Sequence, residues 1–191
     1  MELSSGWSAL AIFVGVWILI GLVAFKVRNY YKNGNGKYKR GGLARLKQKA
    51  ESGDAAAQVE LGHVYTAGKV VSQDLEIARE WYEKAAAQNE PVALMVLGAI
   101  YTAGRGVDVD LERAAQCYLQ AAEIGKLEAQ LMCAYIYVRG LGVARSDDTA
   151  REWLNQAMAT DRDAATKYLK QMSDDMDDLI GGTIKKWHVQ A

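Results

Sequence analysis

The chain has 191 residues, half of them apolar, with one proline, two phenylalanines, ten tyrosines and five tryptophans. Scarce proline and abundant alanine argue against a β-sandwich and for helices. The net charge is zero, but nine Lys or Arg and no acid fall in 26–49, while 50–182 holds 12 basic and 22 acidic residues. An acidic body argues against nucleic acid as its partner, and a basic neck points to a membrane contact at one end.

Residues 1–6, MELSSG, carry no positive charge and form a short extracytoplasmic N-terminus. Residues 7–25, WSALAIFVGVWILIGLVAF, contain no charged side chain. As a helix they span about 28 Å, near the hydrocarbon thickness of a bilayer. The absence of a basic start and of a small-x-small cleavage site argues for an uncleaved transmembrane helix rather than a signal peptide. Ala11 and Gly15, with Gly21 further on, allow close helix approach. The basic residues lie wholly on the C-terminal side, so the positive-inside rule puts the body in the cytoplasm of a single-pass protein. Residues 26–41 form a basic linker, in which Lys26, Arg28 and Lys32 face lipid headgroups and Asn33-Gly34-Asn35-Gly36 breaks the helix.

From residue 42 onward the chain repeats. A shift of 36 aligns 55–90, 91–126 and 127–162 without a gap. The matches include Ala57, Ala93 and Ala129; Tyr65, Tyr101 and Tyr137; Gly68, Gly104 and Gly140; Val71, Val107 and Val143; and Ala78, Ala114 and Ala150. Each unit reads as helix, tight turn, helix. Ala57, Leu61 and Tyr65 make an apolar stripe at i, i+4, i+8. Gly62 and Gly98 lie on that face and leave room for a close neighbour, with Ala134 in the third unit. Gly68, Gly104 and Gly140 end the first helix in a left-handed conformation, and the valines plug the turn. Asp74, Asp110 and Ser146 are N-caps for the second helix. Trp81-Tyr82, Cys117-Tyr118 and Trp153-Leu154 supply bulk against the next unit.

These residues resemble the Sel-1-like repeat, a subfamily of tetratricopeptide-like α/α repeats, whose pattern is roughly A-x-x-x-L-G-x-x-Y-x-x-G-x-G-V-x-x-D followed by K-A-x-x-W-Y-x-x-A-A-x-x-G. The middle unit fits best, with Ala93, Leu97, Gly98, Tyr101, Gly104, Gly106, Val107, Asp110, Ala114, Tyr118, Ala121, Ala122 and Gly125. The first unit departs at Val70, where the second turn glycine is expected, and the third at Cys133, Ala134 and Met158. The resemblance implies an all-α solenoid at 42–180, with partial caps at 42–54 and 163–180, and a scaffolding role. It also implies a bacterial source, hence an inner, cytoplasmic membrane.

Catalytic motifs are not evident. There is no HExxH, GxSxG, phosphate loop or dinucleotide fingerprint. Gly104-Arg105-Gly106 and Gly140-Leu141-Gly142 recur with the repeat and are turn glycines. Cys117 and Cys133, 16 apart, match no zinc spacing and read as free thiols of a reducing compartment. The acidic run Asp174, Asp175, Asp177 and Asp178 reads as a solvated surface. No catalytic residue, metal site or cofactor is expected.

A protein-binding face is expected on the first helices, opposite their apolar stripe. It consists of Glu60, His63 and Ala67; Val96, Ala99 and Ala103; and Met132, Tyr135 and Arg139. In the later two units it is more apolar than solvent requires. Either it forms a groove for a peptide or helix, or these residues pack beneath neighbouring helices in a tightly curled array. The tail 181–191 opens on Gly181-Gly182 and places Trp187 among Lys185, Lys186 and His188. It reads as a docking motif, a headgroup contact or a packed end. The expected function is a membrane-anchored scaffold or adaptor, an accessory or regulatory subunit of an inner-membrane complex. The alternative is a membrane-bound enzyme or enzyme regulator whose catalytic groups lie on a partner.

Overall fold

The structure, a computed structural model, describes residues 41–168. The expected transmembrane segment 7–25, the linker residues Lys26, Arg28 and Lys32, the acidic run and the tail lie outside the described residues. Among the described residues no helix is long and apolar enough to cross a membrane.

The described chain is all-α. The helices are α1 (Gly42–Glu51), α2 (Ala55–Ala67), α3 (Leu75–Ala86), α4 (Pro91–Ala103), α5 (Leu111–Glu123), α6 (Leu127–Arg139) and α7 (Asp147–Thr160). Residues 162–168 are again helical. Thus α2–α3, α4–α5 and α6–α7 are the three units; α1 stands as a lone second helix before them, and the stretch at 162–168 stands as a first helix after them. Each first helix packs most heavily on the second helix of its own unit and next on the second helix of the preceding unit.

The repeat chemistry appears where the register requires it. The side chains of Asp74, Asp110 and Ser146 accept hydrogen bonds from the backbone N–H of Ile77, Arg113 and Thr149 at 2.9, 2.9 and 3.2 Å. Gly68, Gly104 and Gly140 close the first helices at φ of 65°, 63° and 67°, where a side chain would be strained. The loops between units turn through Gly53, Asn89 and Gly125, again 36 apart and all at positive φ. The core residues Ala50, Ala78, Ala114, Ala150 and Ala165 are buried. Val71, Val107 and Val143 are partly buried against the core, as plugs of the turns.

Two close approaches explain departures from the repeat pattern. A Cβ on Gly62 would stand 2.7 Å from Cε1 of Tyr82, and one on Gly98 would stand 2.7 Å from Cε1 of Tyr118. The neighbour the glycine admits is therefore an aromatic ring from the second helix of the same unit. In the third unit the pair is Ala134 and Leu154, a methyl group facing a smaller side chain. The second-helix bulk thus does more than face the next unit: Tyr82 and Tyr118 lie on their own unit's glycine as well as in the core shared between units. The second departure is Val70. Its equivalents Gly106 and Gly142 touch the start of the preceding second helix: a Cβ on Gly106 would be 3.1 Å from Leu75 Cβ, and one on Gly142 would overlap the carbonyl of Leu111. Val70 is 42% exposed, so the crowding that demands glycine at the later turns is not felt there.

Candidate functional site

The first and second helices differ in how their polarity is distributed. Helix α3 alternates charge with an alanine-and-aromatic face, so one side meets the core and the other meets water. Helix α4, PVALMVLGAIYTA, carries no charged side chain at all. A helix apolar around its circumference must be enclosed on most sides, and a position between two second helices provides that.

This enclosure decides the fate of the expected binding face. In the third unit Met132 is 7% and Tyr135 3% exposed, and both join the central core cluster. With Ile136, Thr102, Tyr118 and Ala114 they line a cavity of about 20 Å³, room for roughly one water. His63 in the first unit is 7% exposed. Of the two readings of this face, packing beneath neighbours holds for these three: Met132 and Tyr135 reach into the central core, and the His63 ring meets Tyr82 edge to face. Arg139 is partly buried, its guanidinium 5.8 Å from the centre of the Tyr135 ring, and Glu60 is partly exposed.

The middle unit keeps an open strip. Val96 and Ala99 are partly exposed and Ala103 is exposed. Val92, one turn before Val96 on the same face, is 39% exposed. It extends the strip, and its place four residues before Val96 is the sequence signal that would have found it. These four side chains form an apolar line along α4 without a charge of its own.

The buried polar groups around the core are held structurally. Tyr82 Oη lies 2.7 Å from His63 Nδ1 and 3.2 Å from Thr66 Oγ1, and its ring meets His63 edge to face. Burial pushes the His63 imidazole down to about 4, against a smaller upward pull from Glu60. Burial also raises the Tyr82 and Tyr118 phenols, each opposed by a hydrogen bond with a first-helix threonine, Thr66 and Thr102. Glu83 joins Arg79, at 2.6 Å, to the hydroxyl of Tyr101 in the next unit, which donates to it at 3.2 Å. Gln88 donates to Gln58 at 2.8 Å, and Thr160 donates to Gln130 at 3.1 Å. The corresponding pair in the middle unit is Leu94 and Ile124, so polar matches polar and apolar matches apolar across the unit.

Cys117 and Cys133 are free. Burial raises the thiols to about 11 and about 12, so neither is a ready thiolate nucleophile. Among the described residues no group of three His, Cys, Asp or Glu could hold a metal ion.

Comparison with known proteins follows the same lines. The Sel1 repeat profile matches residues 55–90, 91–126 and 127–159. The fold resembles the crystal structure of a Sel1 repeat protein from Oxalobacter formigenes, with TM-score 0.62 and 38% identity, covering 68% of this chain and 98% of that one. It also resembles a protective antigen of uropathogenic Escherichia coli that displays an SLR fold, with TM-score 0.63 and 29% identity, over 77% of this chain and 35% of that one. Helicobacter pylori cysteine-rich protein B, 21% identical with TM-score 0.52, shares the fold. Over 43 residues, 22% of the chain, it is 51% identical to the secretory immunoglobulin A-binding protein EsiB of Escherichia coli. The chain spans 9% of that curated relative's length.

Proposed function

The chain belongs to the Sel1 repeat family, and from that premise we propose that it is a membrane-anchored adaptor whose repeats hold a protein partner in the cytoplasm. Sel1-repeat proteins are generally protein-interaction scaffolds. The observation that carries the reading is the uncharged strip of Val92, Val96, Ala99 and Ala103 on α4. Val92 and Ala103 are exposed and Val96 and Ala99 partly so, whereas the equivalent positions bury Met132 and Tyr135 in the third unit and His63 in the first. A strip of this width suits one apolar helix or extended peptide.

The anchor is residues 7–25, supported by their length, lack of charge and one-sided basic flank. Lys26, Arg28 and Lys32 sit at anionic headgroups, and the membrane is a bacterial inner membrane. The role is that of an accessory or regulatory subunit, with any chemistry supplied by the partner.

The experiment is co-purification from native membranes with a Val96→Glu, Ala99→Glu variant beside the wild type. Loss of the partner with an unchanged melting curve is expected, since charge would enter a dry contact. Retention of the partner at wild-type yield overturns the strip as the docking face. An active extracytoplasmic reporter fused after Ala191 would overturn the orientation.

A further inference from the structure

A second surface of the middle unit, at the turn that follows α4, is not required by the repeat. The turn between α4 and α5 borders an open groove of about 700 Å³, lined by Val107, Asp108, Val109, Leu111, Glu112 and Gly142, with Arg79, Tyr101, Asp110 and Arg113 completing it. Val109 is 61% exposed and Leu111 36%. The positions equivalent to Val109 are Gln73 in the first unit and Arg145 in the third. The turn therefore folds with a polar side chain at this place, and the fold does not call for an exposed valine.

The groove's charge is also unbalanced. Arg79 is held by Glu83 at 2.6 Å, and Arg113 pairs with Asp110 at 3.4 Å while lying 5.7 Å from the centre of the Tyr101 ring. Asp108 and Glu112 are exposed and have no ion-pair partner among the described residues. The exposed Val109 and Leu111 beside two uncompensated carboxylates fit a segment that carries bulky apolar side chains next to lysines.

We propose that this groove holds the chain's own C-terminal segment 183–191, with Lys185 and Lys186 against Asp108 and Glu112 and Trp187 over Val109 and Leu111. The segment TIKKWHVQA contains two lysines, a tryptophan, an isoleucine, a valine and no acid. Its complement in charge and apolarity is this groove rather than the uncharged strip on α4. Reach is sufficient. Residues 162–168 take the place of the first helix of a further unit, with Ala165 buried beside Leu131 and Ala134 and the Tyr168 hydroxyl donating to Glu128 at 3.3 Å. First helices in this fold run toward the edge where the intra-unit turns lie, which is the edge bearing the groove. Neighbouring helices pack about 8–10 Å apart, so the groove lies roughly 20–40 Å from the end of that stretch. The 14 residues 169–182 span at most about 46 Å at about 3.3 Å per residue when fully extended, and still about 25 Å when 169–180 continue the helical cap at about 1.5 Å per residue.

The test uses the full chain in a neutral detergent and a fluorescent synthetic peptide of sequence TIKKWHVQA. A chain with Lys185→Glu, Lys186→Glu and Trp187→Ala should bind the peptide saturably with one site. Wild-type chain, its own segment in place, should bind it at least tenfold more weakly. In the tail-disabled chain, Val109→Glu, or Asp108→Lys with Glu112→Lys, should weaken binding at least tenfold; Ala99→Glu should leave it unchanged. Val109 and the two acids are exposed, so melting should stay at the parent value and exclude unfolding as the cause. Absence of saturable binding, equal binding by wild-type and tail-disabled chains, or insensitivity to Val109→Glu would overturn the proposal. So would equal displacement by a peptide of residues 26–40, or binding that appears only with anionic phospholipid vesicles. None of these results bears on the α4 strip, which co-purification of the Val96→Glu, Ala99→Glu variant tests separately.

Discussion

Substituting Gly98 by alanine places a methyl group where the Tyr118 ring already lies: the new Cβ would meet Cε1 and Cζ at 2.7 Å and Cδ1 at 3.0 Å. Tyr118 is 4% exposed, so the ring has no free space into which to swing. Overpacking of this kind costs about 1–3 kcal/mol. Against it stands the helix preference of alanine over glycine, worth about 1 kcal/mol. The net loss is up to about 2 kcal/mol, or roughly 3–6 °C in melting temperature per kcal/mol for an array of this size. Tyr118→Leu alone loses ring burial and leaves a void, and it should also destabilise. The double variant Gly98→Ala, Tyr118→Leu rebuilds the pair that the third unit uses, Ala134 with Leu154. In the leucine background Gly98→Ala should therefore be neutral or stabilising, giving a coupling of about 1–3 kcal/mol in a double-mutant cycle. Thermal melting of the four chains by circular dichroism measures it. Equal effects of Gly98→Ala in both backgrounds would refute the idea that glycine is there to admit the ring.

Other substitutions probe the register, the closed ends of the binding face and the buried histidine. Gly142→Ala should destabilise more than Gly106→Ala, and both more than Gly125→Ala. The first overlaps the Leu111 backbone, the second meets only the Leu75 side chain, and the third has open space and carries just the cost of a positive φ; melting temperatures that rank otherwise would contradict the inter-unit contact. Ala114→Trp should unfold the array, since Ala114 is 3% exposed, and a normal melting curve would mean the repeat register is wrong. Met132→Glu with Tyr135→Glu should abolish folding rather than merely binding, because both sites are core and an unpaired carboxylate there is costly; a normal far-ultraviolet spectrum and melt would refute their burial. For His63, burial lowers the folded pKa to about 4 from the ordinary imidazole value of 6.5. The unfolded chain thus takes up the proton first, and stability present above about 6.5 is lost as pH falls toward 4, by roughly 3 kcal/mol. His63→Gln should lose less over that window, and parallel melting-temperature curves for the two chains would contradict the assignment.

Much of the fold was legible because the repeat writes it three times. The caps Asp74, Asp110 and Ser146, the closing glycines and the small core alanines each recur at 36 residues and each answer a local backbone need. The Gly62–Tyr82 contact was only half legible. The sequence marks a small residue, but its partner lies 20 residues away on another helix, and helical periodicity carries no information across that gap. Exposure of the first-helix face was not legible for a related reason. Counting residues around α6 places Met132 and Tyr135 opposite the stripe, yet a helix with a second helix on each flank has little outside. Val96 and Ala99 occupy equivalent positions and stay accessible, so the difference between units arises from side-chain packing that the pattern does not encode. The groove at Val109 was invisible for the opposite reason: its walls come from two turns and three helices, and only its exposed valine breaks the pattern.

Site-specific photo-crosslinking tests the α4 strip as the partner's seat most directly. A photoreactive residue placed at Val96 in the full-length chain, expressed in its own membrane, should give one discrete adduct with a protein partner, and the same group at exposed Glu80 on α3 should give none. The Val96 adduct should vanish when Ala99→Glu is added. No adduct at Val96, or an adduct that survives Ala99→Glu while Glu80 gives the same product, would contradict the reading of this strip as the scaffold's binding face.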